Sequence, residues 1–186
     1  MAEAQLGRNE QALVSYETLL RRFPKTPYAA DARFWSGVLL ETAGRYEDAA
    51  RELRAALAAE PSVTIGRLAR MRLSLVLFRL GQLAEAADLA QATLATPLRQ
   101  ELPPGLLEWL AETRLREKAP DRALEAAQLL SATNREPTWR QIGLALSGDA
   151  RLALGRAEEA RADYRAATAL GAATPAEARA WMKLGD

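Results

Sequence analysis

The sequence predicts an all-α protein, an array of about ten antiparallel helices stacked as a linear repeat. Three observations carry this. Hydrophobic residues make up 49% of the 186 positions and come mostly from Ala and Leu, with few aromatic or β-branched residues; Ala, Leu, Arg and Glu lose little freedom on entering a helix. A short motif returns at a constant step of 37 residues, as GRNEQA from Gly7, GRYEDA from Gly44, GQLAEA from Gly81, KAPDRA from Lys118 and GRAEEA from Gly155. Small residues at Gly37, Ser74, Ala111, Gly148 and Gly185 hold a second column at that step, and two columns sharing one period identify an internal repeat.

Each unit reads as a helix A, a break, a helix B and a longer break, with no strand pattern. Residues 1–24 form a partial unit: the chain opens near the end of a helix A, MAEAQLG, which Gly7 terminates. In the second unit, 28–61, helix A runs from Tyr28 to Ala43, Gly44 closes it in the left-handed conformation, and helix B runs from Glu47 to Ala59 ahead of Pro61. Glu47 and Asp48 fall in the first turn of helix B, where the helix dipole favours negative charge. Ala49 and its equivalents let helix B approach helix A closely, and the small second-column residues let helix A accept a neighbouring side chain. The third unit, 65–97, repeats this around Gly81. The fourth, 103–135, is divergent: Lys118 stands in the glycine column and Pro120 at the start of helix B, where proline is tolerated. The fifth, 139–172, turns at Gly155, and 176–186 begin a sixth. Pro24, Pro61, Pro97, Pro137 and Pro175 punctuate the turns between units.

Composition excludes several classes of function. The 25 basic and 24 acidic residues interleave to a net charge of +1, which leaves no electrostatic footprint for nucleic acid. Without cysteine there are neither disulfides nor thiolate metal sites, a state compatible with cytoplasm or periplasm. The longest apolar stretch, Leu73 to Leu80, is interrupted by Arg79 and falls far short of the ~20 residues that span a bilayer. The first ten residues contain no apolar signal segment, a reading that leaves open a signal removed from a longer precursor.

A small residue seven positions before Gly, Ala five after it, a bulky residue four further on and a closing Pro make the chain resemble a tetratricopeptide repeat array. The best unit is YAADARFWSGVLLETAGRYEDAARELRAALAAEP, with Gly37, Gly44, Tyr46, Ala49, Leu53, Ala56 and Pro61 on the family positions. The terminal ARAWMKLGD resembles the start of another, through Trp181, Leu184 and Gly185. The period is longer than the family's usual 34, and RRFPKTPYAADARFWSG is similar to the longer-looped units of bacterial envelope proteins, of the Tol-Pal accessory and outer-membrane assembly lipoprotein type. Arg114 and Arg151 depart from the pattern, standing where a bulky apolar residue packs between helices.

The resemblance implies a right-handed α-α superhelix whose A helices line a concave groove for a protein or peptide. It places Asp31, Phe34, Trp35, Val38 and Glu41 of the second unit on that surface. The third unit contributes Leu68, Met71, Arg72, Leu75, Phe78 and Arg79, and the fourth Glu108, Trp109, Glu112, Leu115 and Arg116. Trp35 and Trp109 lie two steps apart with Met71 and Arg72 between them, an apolar stretch able to receive a hydrophobic peptide or amphipathic helix. The alternative is that these side chains pack between successive A helices. Glu112, Asp149 and Asp186 form an acidic column that suits a basic segment, a cation held by paired carboxylates, or plain solvation. Val38 and Leu75 stand where the family's carboxylate clamp needs Asn, which argues against a chaperone C-terminal tail as ligand.

No catalytic, cofactor or metal site is expected. With no His or Cys there is no Ser-His or Cys-His pair, LPPGLL lacks the Lys and spacing of a phosphate loop, and the adjacent Glu158 and Glu159 do not face each other on a helix. The expected function is a non-enzymatic docking or assembly platform, the chain being a segment of a longer repeat protein. The alternatives are a self-associating scaffold, the C-terminal helix of one copy docking on the N-terminal helix of the next, and an accessory region of a larger cell-wall enzyme or regulator.

Overall fold

The computed structural model describes residues 2–185, with side chains from residue 7 onward. Ten α-helices and no strand occur among the described residues. They group into two compact units, one ending at Leu98 and the other beginning at Arg99. The first holds α1 (Ala2–Arg22), α2 (Ala29–Thr42), α3 (Tyr46–Ala58), α4 (Val63–Arg79) and α5 (Leu83–Leu94). The second holds α6 (Pro104–Arg116), α7 (Pro120–Thr133), α8 (Pro137–Ala153), α9 (Ala157–Thr168) and α10 (Pro175–Gly185). A short 3-10 turn, Pro97–Glu101, separates α5 from α6. Among the described residues no helix is long and apolar enough to cross a membrane.

Within each unit, consecutive helices pack in antiparallel pairs, and the hinge motif does what its residues dictate. Gly44, Gly81 and Gly155 take φ of 74°, 72° and 76°. At each, two backbone bonds close the preceding helix: Gly44 N donates to Glu41 O at 3.0 Å and Arg45 N to Leu40 O at 2.9 Å, with the same pair at Gly81 and at Gly155. Lys118 makes these bonds too, at a φ of 57°, so the fourth hinge keeps its geometry with a side chain that disfavours it. Lys118→Gly is expected to stabilise the chain by about 0.5–1 kcal/mol, relief of that strain being partly offset by the greater freedom of glycine in the unfolded chain. A rise in the denaturant midpoint at unchanged slope is the measurement that shows it.

Gly7 behaves otherwise. Expected to end a helix, it lies inside the continuous α1, and it is absent from the positive-φ glycines. So short a stretch ahead of it cannot sustain a packed helix of its own, and carrying the hydrogen-bond ladder through glycine costs only about 1 kcal/mol against Ala. The prolines, too, work at helix starts more than at helix ends. Pro104, Pro120 and Pro137 stand in the first turn of α6, α7 and α8, and Pro175 opens α10.

The second column sets how closely helix A and helix B approach. A Cβ on Gly37 would lie 2.7 Å from Leu53 Cγ, and one on Gly148 would lie 2.5 Å from the Tyr164 ring. Leu53 and Tyr164 are equivalent, three steps apart. In the two units between, the same register pairs Ser74 with Ala90 and Ala111 with Ala127, all four buried. Glycine thus faces a bulky residue where small faces small elsewhere, and the gap between helices is filled either way. Ala49, Ala86, Ala123 and Ala160 are all buried, as close approach requires.

The two arginines in the apolar column are absorbed by pairing. Arg114 is buried and its Nη1 donates to Glu117 Oε2 at 2.7 Å. Arg151 pairs with Asp163 and Glu159 across the α8–α9 pair. Burial raises the Asp163 carboxyl above its usual range, although Arg151 pulls it the other way. Helix α10 is tied down by a polar knot around the buried Gln141. Its Nε2 donates to Ala167 O at 2.9 Å and to Glu177 Oε2 at 3.2 Å, and its Oε1 accepts from Thr174 Oγ1 at 2.6 Å. Glu177 N in turn donates to Thr174 Oγ1, and Glu177 Oε2 accepts from Ala173 N, which caps the helix from both directions.

Candidate partner-binding surface

In the first unit, α2 and α4 lie side by side, bridged by Arg72 Nη1 and Glu41 Oε2 at 3.4 Å. On α2, Trp35 is 46% exposed and stands edge-on against the Phe34 ring, centroids 5.0 Å apart and planes at 66°. Phe34 itself is 2% exposed, as is Met71 on α4. These two, expected on the groove surface, are core residues. They occupy one register position, one residue before Trp35 and Arg72, where the helix turns its side chain into the space between helices and the apolar chain gains most from burial. Val38, Leu75 and Phe78 are half-buried and keep an apolar flank open. Arg79 is engaged by α3: its Nη1 donates to Tyr46 Oη at 3.0 Å, and its guanidinium lies 5.4 Å from that ring's centroid.

The second unit carries the acidic positions. Trp109 is half-buried on α6, next to Glu108, with Glu112 a turn further on. Burial raises the Glu108 carboxyl, the nearby Glu112 adds to this, and Arg179 opposes it. Asp149, on α8, accepts from Tyr164 Oη at 2.8 Å and pairs with Arg179 of α10 at 3.5 Å. Glu112 lies 4.0 Å from Arg116. Of the acidic column, Asp149 is thus answered by Arg179, which had no role in the sequence reading, and Glu112 by its own helix. Asp186, the column's third member, lies outside the described residues. Among the described residues no group of three or more acidic side chains is placed to hold a metal ion.

The repeat held no signal for Arg179: Glu41–Arg72 and Asp149–Arg179 both join an A helix to the next A helix, but 31 and 30 residues apart and at different register positions. The TPAE run at Thr174, legible as a capping box, sets the register of α10 and so the place of Arg179.

A family model described as tetratricopeptide repeat matches residues 1–64, 42–101 and 146–186. The stretch outside these matches contains the Lys118 hinge and Pro120, where the motif is most altered. Comparison with curated proteins gives no match.

Proposed function

The chain belongs to the tetratricopeptide repeat family, whose repeats mediate protein–protein interactions, and from that membership we propose that its first unit is a non-catalytic docking platform gripping an apolar segment of a partner on the α2–α4 face. The observation that carries the reading is Trp35, a large aromatic held half in solvent by the buried Phe34 behind it. A rigid exposed tryptophan loses little freedom on binding and buries much area, which is why such residues dominate interface energetics. Val38, Leu75 and Phe78 supply the apolar flank, and the Glu41–Arg72 pair supplies a polar rim. The segment that fits is an amphipathic helix or an extended apolar peptide.

Trp109 offers a smaller anchor on the second unit, beside carboxylates that favour a partner with a basic flank. The likeness of RRFPKTPYAADARFWSG to envelope repeat proteins favours a bacterial envelope setting, with the array serving assembly rather than chemistry.

Peptides selected on the immobilised wild-type chain provide a ligand. Calorimetry is expected to show such a peptide binding Trp35→Ala at least fivefold more weakly, about 1 kcal/mol, with helicity unchanged. Trp109→Ala is expected to have the smaller effect. Equal affinity of wild type and Trp35→Ala would return Trp35 to a purely structural role.

A further inference from the structure

A crevice opens between three helices of the first unit, with α1 on one side, α3 on the other and α2 beneath. Its volume is about 520 Å³, a size that holds a small ligand. On α2 it is lined by Arg33, Ser36 and Leu40, a stripe on the opposite face of the helix from Trp35 and Val38. Leu13 and Leu20 of α1 join Leu40 in an apolar floor, and walls and floor all come from residues 10–52.

Two bonds made at equivalent places in the array are missing here. Ser36 is 4% exposed and its hydroxyl has no hydrogen-bond partner, a costly state for a buried polar group. Its equivalent three steps on, Ser147, donates to Gly143 O at 2.8 Å, and the positions between are the buried Leu73 and Leu110. The clasp between B helices is absent too. Arg54 of α3 donates to Glu85 at 3.1 Å and to Gln82 at 2.9 Å, both on the α5 side. One step earlier these three positions are Glu17, Arg45 and Asp48, and there Arg45 turns instead to Asp48, three residues along its own helix. Among the described residues neither Glu17 nor Glu10, which line the α1 wall, pairs with a base. The α3 wall is basic. Arg45 and Arg51 share Asp48 through Nε and Nη2 of the first and Nη2 of the second, which leaves Nη1 of each as a spare donor.

We propose that this crevice binds a short free peptide of apolar residues as a zwitterion, its ammonium held by Glu10 and Glu17 and its carboxylate by Arg45 and Arg51. Its side chains rest on Leu13, Leu20 and Leu40, and its amide meets the Ser36 hydroxyl, which is both donor and acceptor. Opposite charges on opposite walls select against a simple cation or anion, and the apolar floor selects against a hydrophilic zwitterion. The volume suits two residues, whose ends stand about 7 Å apart when extended. The site lies on the far side of α2 from Trp35 and stands independently of the binding proposed there.

Calorimetry with leucyl-leucine, free at both ends, is expected to show binding to the full chain. Acetylating its amine or amidating its carboxylate should each weaken binding about tenfold or more, the loss of a charge-assisted contact. Glu17→Gln should bind the free peptide more weakly and distinguish it less from the acetylated one. Ser36→Leu, which copies Leu73 and Leu110, should fill the crevice and remove binding with the circular dichroism unchanged. Should that variant lose helicity, Glu17→Gln at its exposed position decides alone. Trp35→Ala should bind as wild type does. No heat with millimolar leucyl-leucine overturns the proposal, as does equal binding of either end-blocked peptide or undiminished binding by Glu17→Gln or by folded Ser36→Leu. Loss of binding in Trp35→Ala would move the peptide to the α2–α4 face and overturns it as well.

Discussion

Tyr164→Ala is expected to cost about 3–5 kcal/mol of stability, the range for deleting a fully buried aromatic side chain. Tyr164 is among the largest fully buried side chains. Its ring fills the notch over Gly148, and its hydroxyl donates to Asp149, which also holds Arg179 of α10. Removing it opens a cavity between α8 and α9 and takes a donor from a half-buried carboxylate. Tyr164→Phe keeps the ring and should cost only about 1 kcal/mol, the net value of one hydrogen bond. Denaturant unfolding separates the two, and near-equal midpoints for Ala and Phe would show that the ring contributes little. Burial raises the phenol well above its ordinary 10.0, and the hydrogen bond to Asp149 and that residue's charge push the same way. The folded chain thus holds this proton more tightly than the unfolded chain. Its contribution is complete below about pH 10 and is lost as pH rises beyond that. Tyr164→Phe should flatten that alkaline limb of the stability curve.

Gly143→Ala is the second large effect, about 2 kcal/mol destabilising. The added Cβ would meet Ser131 N at 2.5 Å and Ala127 O at 2.9 Å, backbone atoms of α7 that cannot turn aside. The helices must part, at a cost of about 1–3 kcal/mol, against which the better helix propensity of Ala returns up to about 1. Gly105 is the matched control. It also lies in a helix, α6, but a Cβ there meets nothing within 4 Å, so Gly105→Ala should be neutral or stabilising. Opposite signs for the two substitutions test the packing account directly, and equal signs would refute it.

Both sites bear on what could be read in advance. The notch at Gly148 lies in a column visible in the sequence, and the structure shows which side chain fills it. Gly143 shares its column with Ala32, Ala69, Leu106 and Ala180, small at every step but one, so the sequence marks a close approach there without showing that one unit needs glycine rather than alanine. Its need for glycine arises between the B helix of one unit and the A helix of the next, where the distance depends on both partners. Phe34 and Trp35 show the same limit one residue at a time. Adjacent positions on one apolar helix carry similar residues, and only the placement of neighbouring helices decides that one is core and the other surface. Arg114 and Arg151 looked like faults in an apolar column and became buried or half-buried ion pairs because acids three to twelve residues away reach them.

By itself, then, the sequence determined what is local and periodic: the helical class, the 37-residue step, the left-handed hinges at Gly44, Gly81 and Gly155, and the small-residue notches on helix A. Backbone sterics and helix propensity act within a few residues, so a chain displays them openly. Only the tertiary structure decided that α1 runs through Gly7, that Arg179 pairs with Asp149, and that Trp35 stands out while Phe34 and Met71 do not. Those outcomes depend on distances between helices, which are set by every side chain in the interface together and by no single motif.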